Sequence, residues 1–186
     1  MRIEIISGSP RTDSVTHRVA LHLEKVFNEQ TDHEVGVIDM REDGLPPIQS
    51  VYNTVDAAPE EYKELAARML TADAYILVTP EYNGNYSSAL QNLFDHFPKR
   101  SHKLFAIATA SPGALGGIRA ALHLQQFIHA LFGIGSPYML ITPQVDKKFD
   151  EQGNLTDPAF QKSIDTFVSE FLWLGEKLVE EKVAGY

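Results

Sequence analysis

The chain has no cysteine among its 186 residues. That excludes disulfides, iron–sulfur clusters, thiolate zinc sites and a thiol nucleophile, and it suits a reducing compartment. Basic residues are also scarce. A formal net charge of −9 argues against a broad nucleic-acid surface, since neutralising phosphates needs clustered Lys and Arg. Any phosphate bound here has to be held locally, against the overall field. No apolar run reaches the roughly 18 residues of a membrane helix, so no membrane insertion is expected. The opening MRIEIIS lacks the charged and apolar regions of a signal peptide, which reads as a cytoplasmic protein. No H-x-x-x-H or H-E-x-x-H pairing occurs, so no metal site is expected. The missing G-x-S-x-G counts against an α/β-hydrolase.

What is present alternates. Apolar runs of strand length stand at 3–7, 35–39, 74–79, 104–110 and 138–142. Between them lie helical stripes, such as Val15, Val19, Leu23, Val26 and Phe27, or Tyr62, Leu65, Ala66 and Met69. Residues 88–97 and 117–132 give two more, and Asp157-Pro158 opens a last one through Ile164, Phe167, Val168 and Phe171. Trp173, in that last helix, is expected in the core. Strands apolar on both faces, alternating with helices, imply a parallel sheet covered on both sides. Five of each suit a doubly wound, flavodoxin-like α/β fold of strand order 2-1-3-4-5, in a single domain spanning 1–186. Such sheets bind ligands beyond the carboxyl ends of their strands. The loops after the first, third and fourth strands are the places to look.

SGSPRTDS (7–14) follows the first strand. Ser9, Ser14 and Thr16 can donate hydroxyl hydrogen bonds and Arg11 a bidentate charged contact, beside the free amides of a helix start. That suits a terminal monophosphate, and an ordinary polar capping loop equally. The nucleotide loops G-x-x-x-x-G-K-[ST] and G-x-G-x-x-G are both absent. TPEYNGNYSSALQN (79–92) follows the third strand. Its tyrosines offer aromatic surface to a ring, its Asn-Gly turn exposes amides, and Ser88 with Gln91 reads as a capping box. It is equally a plain turn with its cap. ASPGALGGIRAALH (110–123) follows the fourth strand, with glycines for close approach to a flat ligand or simply for a tight turn.

These three segments carry a resemblance. GSPRTDSVTHRVA (8–20), PEYNGNYSSALQNLFD (80–95) and SPGALGGIRA (111–120) resemble the NADPH-dependent FMN reductases, flavodoxin-like quinone, azo-dye and chromate reductases. The order and spacing agree over nearly the whole chain. The resemblance implies that Ser9, Arg11, Ser14 and Thr16 hold the FMN phosphate. It implies that Pro80, Glu81, Tyr82 and Asn83 flank the flavin ring, with an amide of Asn83 or Gly84 on its N5. Ser111, Gly113 and Gly117 would reach its pyrimidine side. It further implies a ping-pong oxidoreductase with NADPH or NADH as co-substrate and a small-molecule acceptor: quinone, azo compound, metal oxyanion or free flavin. By the same resemblance no side chain is expected to act as a catalytic nucleophile, and a homodimer or homotetramer is expected. Apolar residues of the helix on the PEYN side (Leu90, Leu93, Phe94, Phe97) and of its neighbour (Leu122, Phe127, Phe132) are expected to supply that contact. The chain departs from the family at Thr16, usually Asn, and at Ser87, Ser88 and Gln91, usually Pro, Gly and Lys. An electron-carrier flavodoxin is the alternative reading. Which arginine meets the 2′-phosphate of NADPH (Arg18, Arg119 or Arg100) is left open.

Overall fold

Central strands that are apolar on both faces have to be covered on both faces, and the computed structural model, which describes residues 1–183, shows that arrangement. The expected domain runs to residue 186, so its last three residues lie outside the described ones. In chain order the strands are β1 (Arg2–Ser7), β2 (Glu34–Asp39), β3 (Ala74–Thr79), β4 (Leu104–Ser111), β5 (Ile134–Gly135) and β6 (Leu140–Pro143). The helices are α1 (Val15–Gln30), α2 (Lys63–Thr71), α3 (Ser88–Asp95), α4 (Ile118–Ala130) and α5 (Gln161–Val183). The sheet is parallel throughout, in the order β2-β1-β3-β4-β5, with β6 also paired to β4.

The pleat sends alternate residues to opposite faces, and each face makes its own core. Ile3, Ile5, Ile76, Val78 and Ala108 pack under α1 and α5 with Phe27, Phe167 and Phe171. Ile6, Tyr75, Leu77, Phe105 and Ile107 pack under α2, α3 and α4 with Leu93, Phe94 and Leu124. Burial pushes the Tyr75 hydroxyl up to about 12, so it stays protonated and donates to the Met69 carbonyl at 2.5 Å. Buried charge also sits on this second face. Glu4, only 2% exposed, is held by Arg68 at 2.5 Å.

Three expectations change. The run at 138–142 is half of a broken edge: Ile134 and Gly135 pair with the start of β4, and Leu140–Pro143 pair with its end. Pro137 interrupts the segment between them, where it has no N–H for a ladder. Leu90, Leu93, Phe94 and Phe97 are all buried within the chain, so they are core; of the set expected at a subunit contact, Leu122 (50% exposed) and Phe132 (63%) remain exposed. Trp173 is 56% exposed. In α5 the stripe Ile164, Phe167, Val168 and Phe171 faces inward, and position 173 falls some 200° of helical rotation from 171.

Candidate functional site

The carboxyl ends of β1, β3 and β4 lie side by side, and the three loops that follow them meet there. Gly8 donates its amide to the Val78 carbonyl at 2.8 Å, which lays the first loop across the end of β3. Ser87 fastens the second loop to the first. It caps α3 by accepting from the Leu90 amide at 3.1 Å, its own amide donates to Thr79 Oγ1, and its hydroxyl donates to the Gly8 carbonyl. The cap is therefore Ser87, one residue before the expected Ser88. Gln91 points away from the expected box and accepts from the Tyr86 hydroxyl.

Between Tyr82 and Asn85 the chain turns on Asn83 (φ 52°) and Gly84 (φ 82°), with reciprocal backbone hydrogen bonds between the flanking residues. Positive φ at both centres is the reason for Asn-Gly here. The turn presents Tyr82 to the first loop: its hydroxyl lies 3.1 Å from Ser9 Oγ, and the Arg11 guanidinium sits 4.4 Å over its ring. Glu81 reaches the third loop instead. Its carboxylate accepts from the Arg119 amide at 3.1 Å and lies 3.6 Å from that guanidinium, so it caps the first turn of α4.

In the third loop Ser111 Oγ accepts from the Gly113 amide at 3.0 Å, and Thr109 donates to the Gly116 carbonyl at 2.6 Å. Gly117 (φ 88°) precedes α4; a Cβ there would come within 2.9 Å of Thr109 Cβ.

A cavity of about 440 Å³ opens among these loops. From the first loop Ser9, Arg11, Ser14 and Thr16 line it, where α1 begins with Ser14 as its cap, accepting from the His17 amide. From the second and third loops Pro80, Glu81, Tyr82, Asn83 and Ser111 line it, with Tyr82 against Ser9 and Arg11. Nine of the twelve expected residues thus share one wall; Gly84, Gly113 and Gly117 shape the turns behind it. Sequence reasoning missed Asp13, Val15, Ala110 and Pro112, which complete it. Asp13 and Val15 lie inside the quoted loop and its helix start, so position alone pointed to them. Ala110 and Pro112 flank Ser111 and carry no chemistry to mark them.

In the first turn of α1, His17 Nδ1 lies 3.0 Å from Ser7 Oγ and 3.5 Å from Asp39. Burial holds His17 below its usual range, against the pull of Asp39. Burial would raise Asp39, but hydrogen bonds from Arg41 hold it below the ordinary carboxylate range. Among the described residues no cluster of three His, Asp or Glu is placed to hold a metal ion, and no helix is long and apolar enough to cross a membrane.

The cavity's volume lies in the range of small-ligand sites. Hydroxyls, a guanidinium and a helix start from the first loop suit a phosphate; a proline and a tyrosine from the second suit a flat ring. These residues fit a flavin mononucleotide.

Comparison with known proteins agrees. Residues 1–143 match the family of NADPH-dependent FMN reductases. The chain is 30% identical over 175 residues to the FMN-dependent NADPH-azoreductase of Staphylococcus aureus (strain USA300), covering 90% of this chain and 92% of that protein. In fold it is similar to FerB, the flavoenzyme NAD(P)H:(acceptor) oxidoreductase of Paracoccus denitrificans, with a TM-score of 0.78, 24% identity and coverage of 95% and 97%. A flavodoxin from Pseudomonas aeruginosa shares the fold more loosely, with a TM-score of 0.57 and 17% identity over 92% and 99% of the chains. Fold and site together define a flavoprotein of flavodoxin-like architecture. Within that class the chain belongs to the NADPH-dependent FMN reductase family, so it is an NAD(P)H-dependent oxidoreductase with FMN as cofactor and a small molecule as acceptor.

Proposed function

We propose that the protein, a single FMN-binding domain of the cytoplasm, passes reducing equivalents from NADPH or NADH to a small acceptor by a ping-pong cycle. Quinones, azo compounds, metal oxyanions and free flavin are the acceptor classes, and an azo compound is what the staphylococcal relative is named for. The observation that carries the reading is a cavity lined both by phosphate-suited groups of the first loop and by ring-suited groups of the second.

FMN, when bound, would supply the redox chemistry, a two-electron transfer between a nicotinamide and an acceptor. The chain's own residues bind and orient. Ser9, Ser14 and Thr16 donate to the phosphate and Arg11 pairs with it. Pro80, Tyr82 and Asn83 border the ring, and Ser111 borders its pyrimidine side. Glu81 acts at one remove, since its carboxylate is committed to the start of α4. Gly84, Gly113 and Gly117 give the turns whose amides approach the ring; the Gly113 amide already donates to Ser111, so it must be shared or exchanged. No side chain has to act as nucleophile or proton donor.

Arg11 tests the phosphate end. Losing one charged hydrogen bond costs about 1.5–3 kcal/mol, so Arg11→Ala should weaken FMN binding roughly tenfold to a hundredfold. A flavin-fluorescence titration with an unchanged dissociation constant would remove Arg11 from the site.

The active assembly is proposed as a homodimer or homotetramer. Exposed Leu122 on α4 and Phe132 just beyond it support a contact there. Light scattering at micromolar concentration should give a multiple of 20.8 kDa, and a monomer mass would refute the assembly.

A further inference from the structure

Arg18, on α1, and Arg41, just past β2, line one cavity of about 390 Å³ with His17 and Thr12. Asp13, Ser14 and Glu151 complete its wall. Asp13 and Ser14 also wall the cavity assigned to FMN, so the two spaces share a partition at the start of α1.

The two guanidiniums are differently committed. Arg41 gives Nε and Nη2 to the Asp39 carboxylate, at 2.9 and 2.5 Å, and its Nη1 has no partner among the described residues. Arg18 donates Nη1 to the Phe149 carbonyl at 3.0 Å and has no carboxylate partner among the described residues. A half-buried guanidinium without a carboxylate, beside a second with a spare donor, is a place for an anion to pair. The other candidate arginines are engaged elsewhere. Arg100 is buried, donating to the Pro98 and Met69 carbonyls, and precedes the amino end of β4, opposite the carboxyl ends where the site lies. Arg119 faces Glu81.

We propose that this second cavity takes the adenosine 2′-phosphate end of NADPH, with Arg18 and Arg41 on the phosphate. The assignment rests on the co-substrate reading above and makes these two arginines the residues that tell NADPH from NADH. Asp13 and Glu151 shape the ligand further. Carboxylates accept from ribose hydroxyls and the adenine amine, and they repel a bare anion. The mixture selects a phosphorylated nucleoside over inorganic phosphate.

The test is calorimetric titration of the FMN-loaded protein with adenosine 2′,5′-bisphosphate, AMP and inorganic phosphate. The bisphosphate, which differs from AMP only by the 2′-phosphate, should bind about tenfold more tightly or better. Arg18→Met keeps the aliphatic stem and should erase most of that ratio while leaving AMP unchanged; Arg18→Lys should restore part. Equal affinities for bisphosphate and AMP in the unaltered protein would overturn the assignment. So would a preference that survives both Arg18→Met and Arg41→Met, or inorganic phosphate binding as tightly as the bisphosphate. Should Arg18→Met fail to fold, Arg41→Met carries the comparison and the ratio in the unaltered protein still decides. Flavin titration of the same samples separates the two levels: FMN bound without a bisphosphate preference sinks the subsite alone, and failure to bind FMN sinks the reading beneath it.

Discussion

Ser14→Asp should cost two to three orders of magnitude in FMN affinity while leaving the stability of the FMN-free protein nearly unchanged. Ser14 caps α1 through the His17 amide, and aspartate caps a helix as well as serine does. The negative charge at a helix start also favours the folded state. The same carboxylate would stand on the wall of the proposed phosphate end. Two like charges about 4 Å apart at an effective dielectric constant near 20 repel by about 4 kcal/mol, or about 1,000-fold. Ser14→Asn keeps the cap without the charge and should lose less than about tenfold. Equilibrium dialysis of FMN against the three proteins, with urea unfolding of each, separates the two effects. Equal affinities for the Asp and Asn variants would place the phosphate elsewhere.

Gly116→Ala should unfold the protein more easily by about 2–5 kcal/mol. Its φ of 61° is strained for a residue with a side chain, at about 1–2 kcal/mol. A Cβ there would lie 2.7 Å from Pro143 N and 2.8 Å from Ile141 Cγ2, and overpacking of that kind costs about 1–3 kcal/mol more. The clash falls where the third loop meets β6, so the damage is to the site's frame. Gly135→Ala is the control, because nothing lies within 4 Å of a Cβ there; it should stay within about 0.5 kcal/mol. Urea midpoints of the FMN-free proteins measure both, and similar midpoints for the two variants would show that the Gly116 turn relaxes freely.

These two positions show what the sequence made legible. Central strands such as AYILVT announce themselves because both faces are buried, and the loops after them then follow from topology. The edge was harder. Ile134–Gly135 is too short to carry a pattern, and only its pairing with Leu104 and Phe105 defines it. Adjacent serines at 87 and 88 fit a cap equally well by local rules; the choice of Ser87 comes from its bond to the Gly8 carbonyl, 79 residues away. Glu81 is similar. The family resemblance puts it beside the ring, and it does line the cavity, but its partner, the Arg119 amide 38 residues on, comes from the fold. The pairing of Arg18 with Arg41 around one cavity was invisible for the same reason: it depends on how α1 lies beside the end of β2. Local chemistry named the loops, and long-range contacts assigned the side chains within them.

On this account a nicotinamide reaches FMN in the cavity between these loops, and a second substrate then takes the electrons. Anaerobic mixing of NADPH with the FMN-loaded protein tests it most directly. The yellow absorbance should bleach within seconds, menadione should restore it, and steady-state plots against both substrates should give parallel lines. If NADPH leaves the absorbance untouched while dithionite and a partner reductase bleach it, the protein carries electrons without oxidising NADPH, and the claim fails.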